Sequence, residues 1–99
     1  MVKHIILWTL KEEHNTPEVK WAMKKGLEAL VGFIPGLLEL RIEIAPLASS
    51  NADVMLYSVF ESEEALKGYA VHPDHVEAAD TLVRPFTASR VCMDFVVTE

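Results

Sequence analysis

The sequence has one cysteine, few basic residues and no long hydrophobic run, and each shortage excludes a class of protein. The single Cys92 rules out an internal disulfide framework and a zinc site built from several thiolates. Nine Lys and Arg against fifteen Asp and Glu give a formal charge of −6, which disfavours nucleic acid and anionic membranes as partners. No apolar stretch approaches the ~20 residues that a membrane-spanning helix needs.

What is present is the composition of a packed globular domain. Hydrophobic residues make up 51% of the 99-residue chain and charged residues 24%, which is typical of a folded protein rather than a disordered one. This length suits one domain over residues 1–99. The first residues run into an apolar segment without a signal-peptide cleavage pattern, so we expect a cytoplasmic protein.

Hydrophobic periodicity predicts four strands. Apolar runs and period-two alternation place them at residues 2–10, 37–44, 54–60 and 90–97. The second strand is the most one-sided and is therefore predicted at an edge of the sheet. The residues predicted on its apolar face are Leu38, Leu40, Ile42 and Ile44.

The segments between these strands predict helices. Thr16 followed by proline is typical of a helix start, and Gly32 marks the end of that helix. A second helical region begins at Ser62 and is split at His72, because the following proline disfavours helix there. The order β-α-β-β-α-β predicts an α+β, ferredoxin-like protomer with a four-stranded antiparallel sheet and helices on one face.

Three of the four strands are apolar on both faces. In the first strand, Ile5 and Leu7 lie on the side opposite Ile6 and Trp8. Helices on one face would leave the other exposing more apolar surface than a soluble monomer usually tolerates. A two-fold homodimer with its sheets packed face to face would cover that surface. The alternatives are helices that wrap further around the sheet, or strand phases shifted by one residue.

His75 and Asp94 are the candidate pair for acid–base chemistry. A carboxylate in an apolar strand needs a partner, and a histidine that reaches it would gain orientation and a raised pKa. The alternative is a structural hydrogen bond that holds the last helix to the sheet. His72 and His75 are three residues apart and raise the question of a metal site. Too few further ligands accompany them, so we expect no metal and no cofactor.

The remaining polar and aromatic residues favour structural roles when taken singly. Tyr69 and His4 are typical of core residues, and His72 is expected to cap or end a helix. Trp8 and Trp21 are expected to pack within the fold. Cys92, on the strand face of Asp94, is expected to be an unreactive thiol.

Three stretches of the chain together resemble a known family. They are residues 1–7 (MVKHIIL), residues 60–66 (FESEEAL) leading into 69–76 (YAVHPDHV), and residues 93–95 (MDF). Their spacing spans essentially the whole chain and is similar to that of the stress-responsive dimeric α/β-barrel family. The resemblance implies a ferredoxin-like protomer whose sheet packs against that of a second subunit.

The resemblance also implies a small-molecule site. One member of the family is a plant polyketide cyclase, which closes a linear polyketide by an aldol step without a cofactor. By position in the matching motifs, His75 would be the general base, Tyr69 would lie near the substrate, and Asp94 would orient the histidine. Leu27 stands where a helix tyrosine shapes the pocket of that enzyme. The residues expected to contact substrate are His4, Trp8 and Leu27.

Three functions stay open from the sequence. The first is an enzyme that performs cofactor-free, cyclase-like or lyase-like acid–base chemistry on a small organic molecule. The second is a non-catalytic, stress-linked dimeric protein, and the third is a monooxygenase-like or haem-handling protein. An enclosed pocket bordered by His75, Tyr69 and Asp94 would favour the first.

Overall fold

The four predicted strands form one antiparallel sheet in the computed structural model, which describes residues 1–98. The strands lie in the spatial order β2-β3-β1-β4, and every neighbouring pair is antiparallel. Their bounds are β1 (Val2–Leu10), β2 (Leu37–Glu43), β3 (Val54–Phe60) and β4 (Thr87–Val96). The predicted ferredoxin-like protomer is confirmed, and so is the edge position of the second strand.

The helices begin where the sequence places their caps. The side chains of Thr16, Ser62 and His72 each accept a hydrogen bond from a backbone N–H in the first turn of the helix that follows. Among residues 1–98, no helix is long and apolar enough to cross a membrane. The helices are α1 (Pro17–Glu28), α2 (Glu63–Val71) and α3 (Pro73–Ala78); a 3-10 turn (Glu12–His14) precedes α1, and a π-helical turn (Ala79–Val83) extends α3.

The hydrophobic core lies between the sheet and the helices. Phe60 of β3 and Met23 of α1 are completely buried there, and burial of side chains of this size contributes about 1.5–3 kcal/mol each. Because residues alternate along a strand, this layer also fixes His4 on the helix-covered face of β1. The core residues of β1 are Val2, Ile6, Trp8 and Leu10.

β2 departs from the predicted alternation at its first residues. Leu37 is buried and Leu38 is 45% exposed, so the predicted place of Leu38 on the apolar face is wrong. The register against β3 shifts between Leu37 and Glu39, which is the signature of a β-bulge. The extra residue reverses the two faces at the start of the strand. From Leu40 onward the predicted alternation holds.

Two further sequence predictions are corrected by the structure. Trp21 is 54% exposed rather than packed, because it lies two residues from Val19 and Met23 and so on the opposite side of α1. The last strand begins three residues earlier than predicted. Thr87 already pairs with Leu10 of β1, beyond a shift in register.

Gly26 lets α1 approach the π-helical turn closely. A Cβ at this position would collide with the end of the Leu82 side chain. Because glycine has no side chain, the π-helical turn can pack directly against α1. This placement sets Ala79 and Val83 as one wall of the cavity described next.

Candidate active site

A cavity of about 930 Å³ lies between the covered face of the sheet and the helices. It draws residues from β1, α1, α2, α3 and β4, and its walls are largely apolar. The predicted site residues all border this one cavity. They are His4, Trp8, Leu27, Tyr69, His75 and Asp94.

His4 and Asp94 lie directly opposite each other on β1 and β4. His4 Nδ1 donates a hydrogen bond to Asp94 Oδ1. In the neutral ring this leaves Nε2 with the lone pair, because a carboxylate only accepts. His4 is 6% exposed, and Ser58 Oγ donates to its backbone carbonyl over 2.8 Å. His4 is therefore a buried histidine whose ring is oriented by a carboxylate.

The predicted pairing of Asp94 with His75 is wrong. His75 Nδ1 instead donates to the backbone carbonyl of Ala70 over 3.4 Å. The topology contained the signal for the correct partner. In a β-α-β-β-α-β sheet the first and last strands are antiparallel neighbours, so a residue near the start of the chain faces one near its end.

His75 stacks on Tyr69, with ring centroids 4.0 Å apart and planes tilted by 32°. Tyr69 is 2% exposed and also contacts the edge of Phe60 at 5.0 Å between centroids. Burial raises the pKa of Tyr69 well above its usual value, since the phenolate would lose its hydration. At neutral pH the Tyr69 hydroxyl is therefore a proton donor.

The pKa of His75 is lowered from its ordinary value of 6.5, because burial disfavours the charged ring. The hydrogen bond to the Ala70 carbonyl opposes this shift only in part. The raised pKa predicted from the sequence is wrong, because it assumed Asp94 as the partner. His75 is neutral at pH 7, and its Nδ1 proton is held by Ala70, so Nε2 is a proton acceptor.

Asp94→Asn is expected to leave the titration of His75 unchanged, with a midpoint that stays below 6.5. The change should instead move the low-field NMR resonance of the His4 Nδ1 proton upfield, because an amide oxygen is a weaker acceptor than a carboxylate. Histidine-selective NMR during a pH titration measures both signals. The matched control is Asp74→Asn, a carboxylate near His72 that does not line the cavity. A His75 midpoint that is lowered in Asp94→Asn alone would restore the pairing predicted from the sequence, because loss of a carboxylate partner destabilises the charged ring.

Cys92 joins the pair formed by His4 and Asp94. Its thiol donates to Asp94 Oδ1 over 3.4 Å, and Sγ lies 3.6 Å from His4 Nδ1. Partial burial and the neighbouring Asp94 carboxylate raise the pKa of Cys92. At neutral pH Cys92 is therefore a protonated thiol and a weak nucleophile.

The potential metal ligands that lie close together in the structure are not His72 and His75, the two that the sequence suggested. Ligand atoms of His4, Cys92 and Asp94 lie within 4.8 Å of one another, a set that could hold a zinc-like ion. His72 caps α3 and does not line the cavity with His75. The raised pKa of Cys92 works against the thiolate that such an ion requires. The hydrogen-bonded arrangement suits these three side chains better.

Charged residues at the cavity wall were missed by the sequence reasoning. Period-two alternation along β4 places Arg90 on the same face as Cys92 and Asp94, and this signal was available. The approach of α2 and of the π-helical turn to the sheet could not be seen in the sequence. The additional charged lining residues are Glu63, Lys67, Arg84 and Arg90.

This fold and cavity define a ferredoxin-like α+β protein with a site between its sheet and its helices. Residues 2–97 match the family described as Stress responsive A/B Barrel Domain, and the chain belongs to that family. A stress-response A/B barrel domain-containing protein of Arabidopsis thaliana is 30% identical over 100 residues. That match covers 97% of this chain but 36% of the relative, so this chain spans little more than a third of the relative's length.

Solved structures agree with this assignment. A protein of unknown function from Bacteroides fragilis, described as dimeric with a ferredoxin-like fold, is 30% identical with a TM-score of 0.85, covering 95% of this chain and 93% of that one. A dimeric ferredoxin-like protein from Thermobifida fusca is 27% identical with a TM-score of 0.85, covering 97% and 90%. Hydroxynitrile lyase from Passiflora edulis has a TM-score of 0.82 over 99% and 94% of the chains, but at 16% identity it shares the fold alone.

Proposed function

We propose that the protein binds a small organic molecule in this cavity and performs cofactor-free acid–base chemistry at the carbon next to a carbonyl group. One observation carries the proposal. A neutral histidine, a protonated tyrosine and a second histidine oriented by a carboxylate border the same apolar cavity. Groups whose pKa values are held apart in this way are typical of acid–base sites.

In the proposed reaction, His75 Nε2 removes a proton from the carbon beside the carbonyl. The C–H electron pair forms the C=C bond of an enolate, and negative charge develops on the carbonyl oxygen. The Tyr69 hydroxyl donates a hydrogen bond to that oxygen and stabilises the charge. His4, oriented by Asp94, presents Nε2 to a further polar group of the substrate. Return of the proton from His75 to the carbon completes a turnover. Alternatively, the enolate carbon attacks a second carbonyl carbon, the C=O electron pair moves to its oxygen, and the protonated His75 returns the proton to that alkoxide.

The apolar wall supports this assignment. Trp8 and Leu27 are buried and border the cavity. An organic molecule that packs on these side chains would displace water, and electrostatic interactions with the developing enolate are stronger where water is absent. Leu27 offers no hydroxyl, so polar contacts with the substrate come from other lining residues, among them Tyr69 and the two histidines.

We expect the protein to accelerate exchange of the α-protons of propiophenone with solvent deuterium. This aryl ketone is apolar enough for the cavity and carries the C–H bond that His75 would break. ¹H NMR follows the loss of the CH₂ signal in D₂O at neutral pH. The control is imidazole at the same concentration, which supplies an unpositioned base of similar strength. Exchange no faster than with imidazole would favour the second candidate, a dimeric binding protein without catalysis.

We also propose that a second copy of the chain covers the open face of the sheet. On this face Ile5 of β1 lies between Tyr57 of β3 and Met93 of β4 in the strand register. In the single chain, Met93 and Val91 are each 65% exposed and Leu7 is 40% exposed. Apolar rows of this extent on a sheet are typical of subunit interfaces. The solved relatives described as dimeric support a homodimer.

A dimer through this face would leave both cavities accessible, because each lies on the opposite side of its own sheet. A cytoplasmic location belongs to the same proposal. Cys92 is unpaired and exposed, and a reducing compartment preserves such a thiol.

A further inference from the structure

The cavity is richer in positive charge than the chain as a whole. The chain carries a formal charge of −6 with nine Lys and Arg, yet three of those nine border the cavity against only two carboxylates. The cationic lining residues are Lys67, Arg84 and Arg90, and the acidic ones are Glu63 and Asp94. The lining therefore has one positive charge in excess.

Arg90 is a cation of the lining that has no counterion within residues 1–98. Arg84 forms an ion pair with Asp80 one turn earlier. Lys67 lies one turn from Glu63 on α2, but among residues 1–98 it forms no ion pair. Asp94 is engaged by His4. Within residues 1–98, no carboxylate lies at ion-pair distance from Arg90.

The position of Arg90 ties it to the candidate reaction centre. Arg90 lies opposite Trp8 in the register of β4 and β1. Its charge acts on both the Tyr69 hydroxyl and the Cys92 thiol. An anionic group bound by Arg90 would therefore lie in the part of the cavity that Trp8 borders.

We propose that the ligand of this cavity carries a carboxylate that Arg90 binds, with the apolar remainder of the molecule against the sheet. This inference rests on the proposed function and specifies its substrate class. A guanidinium binds a carboxylate through two parallel hydrogen bonds. The apolar walls suit an aliphatic or aryl body.

The test compares 4-phenylbutanoate with 4-phenylbutanamide, which have nearly the same shape and differ in charge. NMR titration follows the ring signals of Tyr69 and His75, which report occupancy of this cavity. We expect the carboxylate to bind at least about tenfold more tightly than the amide, because hydrogen bonds between charged groups are the stronger ones. Added NaCl should weaken binding of the carboxylate and leave that of the amide unchanged.

Arg90→Gln should remove the preference for the carboxylate and leave the affinity for the amide unchanged. Arg90→Lys keeps the charge without the two-pronged geometry and should retain part of the preference. The control is Lys25→Gln, which changes net charge equally at an exposed position of α1 outside the cavity. If Arg90→Gln does not fold, the wild-type comparison and its salt dependence decide the question alone.

The two proposals fail in different ways. Equal affinity of the wild-type protein for both probes would overturn the carboxylate inference and leave the proposed binding function standing. Failure of both probes to shift the Tyr69 and His75 signals would overturn the two together. Equal weakening of both probes by Arg90→Gln would assign Arg90 a structural role and would also overturn the inference.

Discussion

His75→Gln is expected to reduce the rate of α-proton exchange in propiophenone by about 10²–10⁴-fold, which is the usual contribution of a positioned general base. Glutamine has a similar reach and can still donate to the Ala70 carbonyl, but it cannot take up a proton near neutral pH. The packing on Tyr69 is largely retained. ¹H NMR in D₂O measures the rate, and circular dichroism confirms that the variant is folded.

His72→Asn is the matched control for this experiment. His72 caps α3 through a hydrogen bond from the Asp74 backbone N–H over 3.1 Å and does not line the cavity. Asparagine is itself a favourable N-cap residue, so the helix should persist and the exchange rate should be unchanged. A rate unaffected by His75→Gln would remove His75 as the base.

The pH dependence of the wild-type exchange follows from the same residue. Because burial lowers the pKa of His75 below 6.5, the neutral base form persists to more acidic pH than for a free histidine. The rate should therefore fall to half of its plateau value only at a pH below 6.5. A half-maximal rate at a pH above 6.5 would point to a different base.

Met93→Asp is expected to convert the proposed dimer into single chains. Met93 lies in the apolar row with Ile5 on the open face of the sheet, where a second sheet would enclose the new carboxylate. Burial of an unpaired charge costs several kcal/mol, which corresponds to a dissociation constant raised at least about a thousandfold. Sedimentation equilibrium should give 11.1 kDa for the variant and twice that mass for the wild type.

Val71→Asp is the control for the dimer experiment. Val71 is 76% exposed at the end of α2, on the helical side of the sheet, and receives the same change from an exposed apolar side chain to a carboxylate. This variant should keep the wild-type mass. A wild-type protein that sediments as a single chain at micromolar concentration would contradict the interface, as would a Met93→Asp variant of doubled mass.

Much of the fold could be predicted because local and global signals agree. The cap at Thr16 marks the start of α1, and the break at His72 marks the boundary between α2 and α3. The apolar periodicity marks each strand. The wrong predictions concern which face a side chain occupies, as for Leu38 and Trp21. The bulge at Leu38 reverses a face, and no glycine or proline lies within residues 37–39 to mark it. Trp21 was predicted to pack within the fold because it is aromatic. Aromatic character alone does not specify the buried side of a helix.

The sequence predicted which residues border the candidate site better than it predicted which of them form hydrogen bonds with each other. His4, Tyr69, His75 and Asp94 do border one cavity, although their roles stay predictions. Which histidine meets the carboxylate depends on strand register, a long-range property that no local motif encodes. Sequence position favoured His75, 19 residues away, over His4 at the far end of the chain.

Strand β4 serves two surfaces at once, and its length is constrained accordingly. Asp94 turns toward the cavity while its neighbour Met93 turns toward the open face. Insertion of one residue before them would place the Met93 thioether beside His4, and deletion of one would place the Phe95 ring there. In either case the Asp94 carboxylate would lie between the two subunits. Over evolution, the segment that leads into this strand can therefore tolerate indels only in pairs, or where a compensating bulge restores the parity.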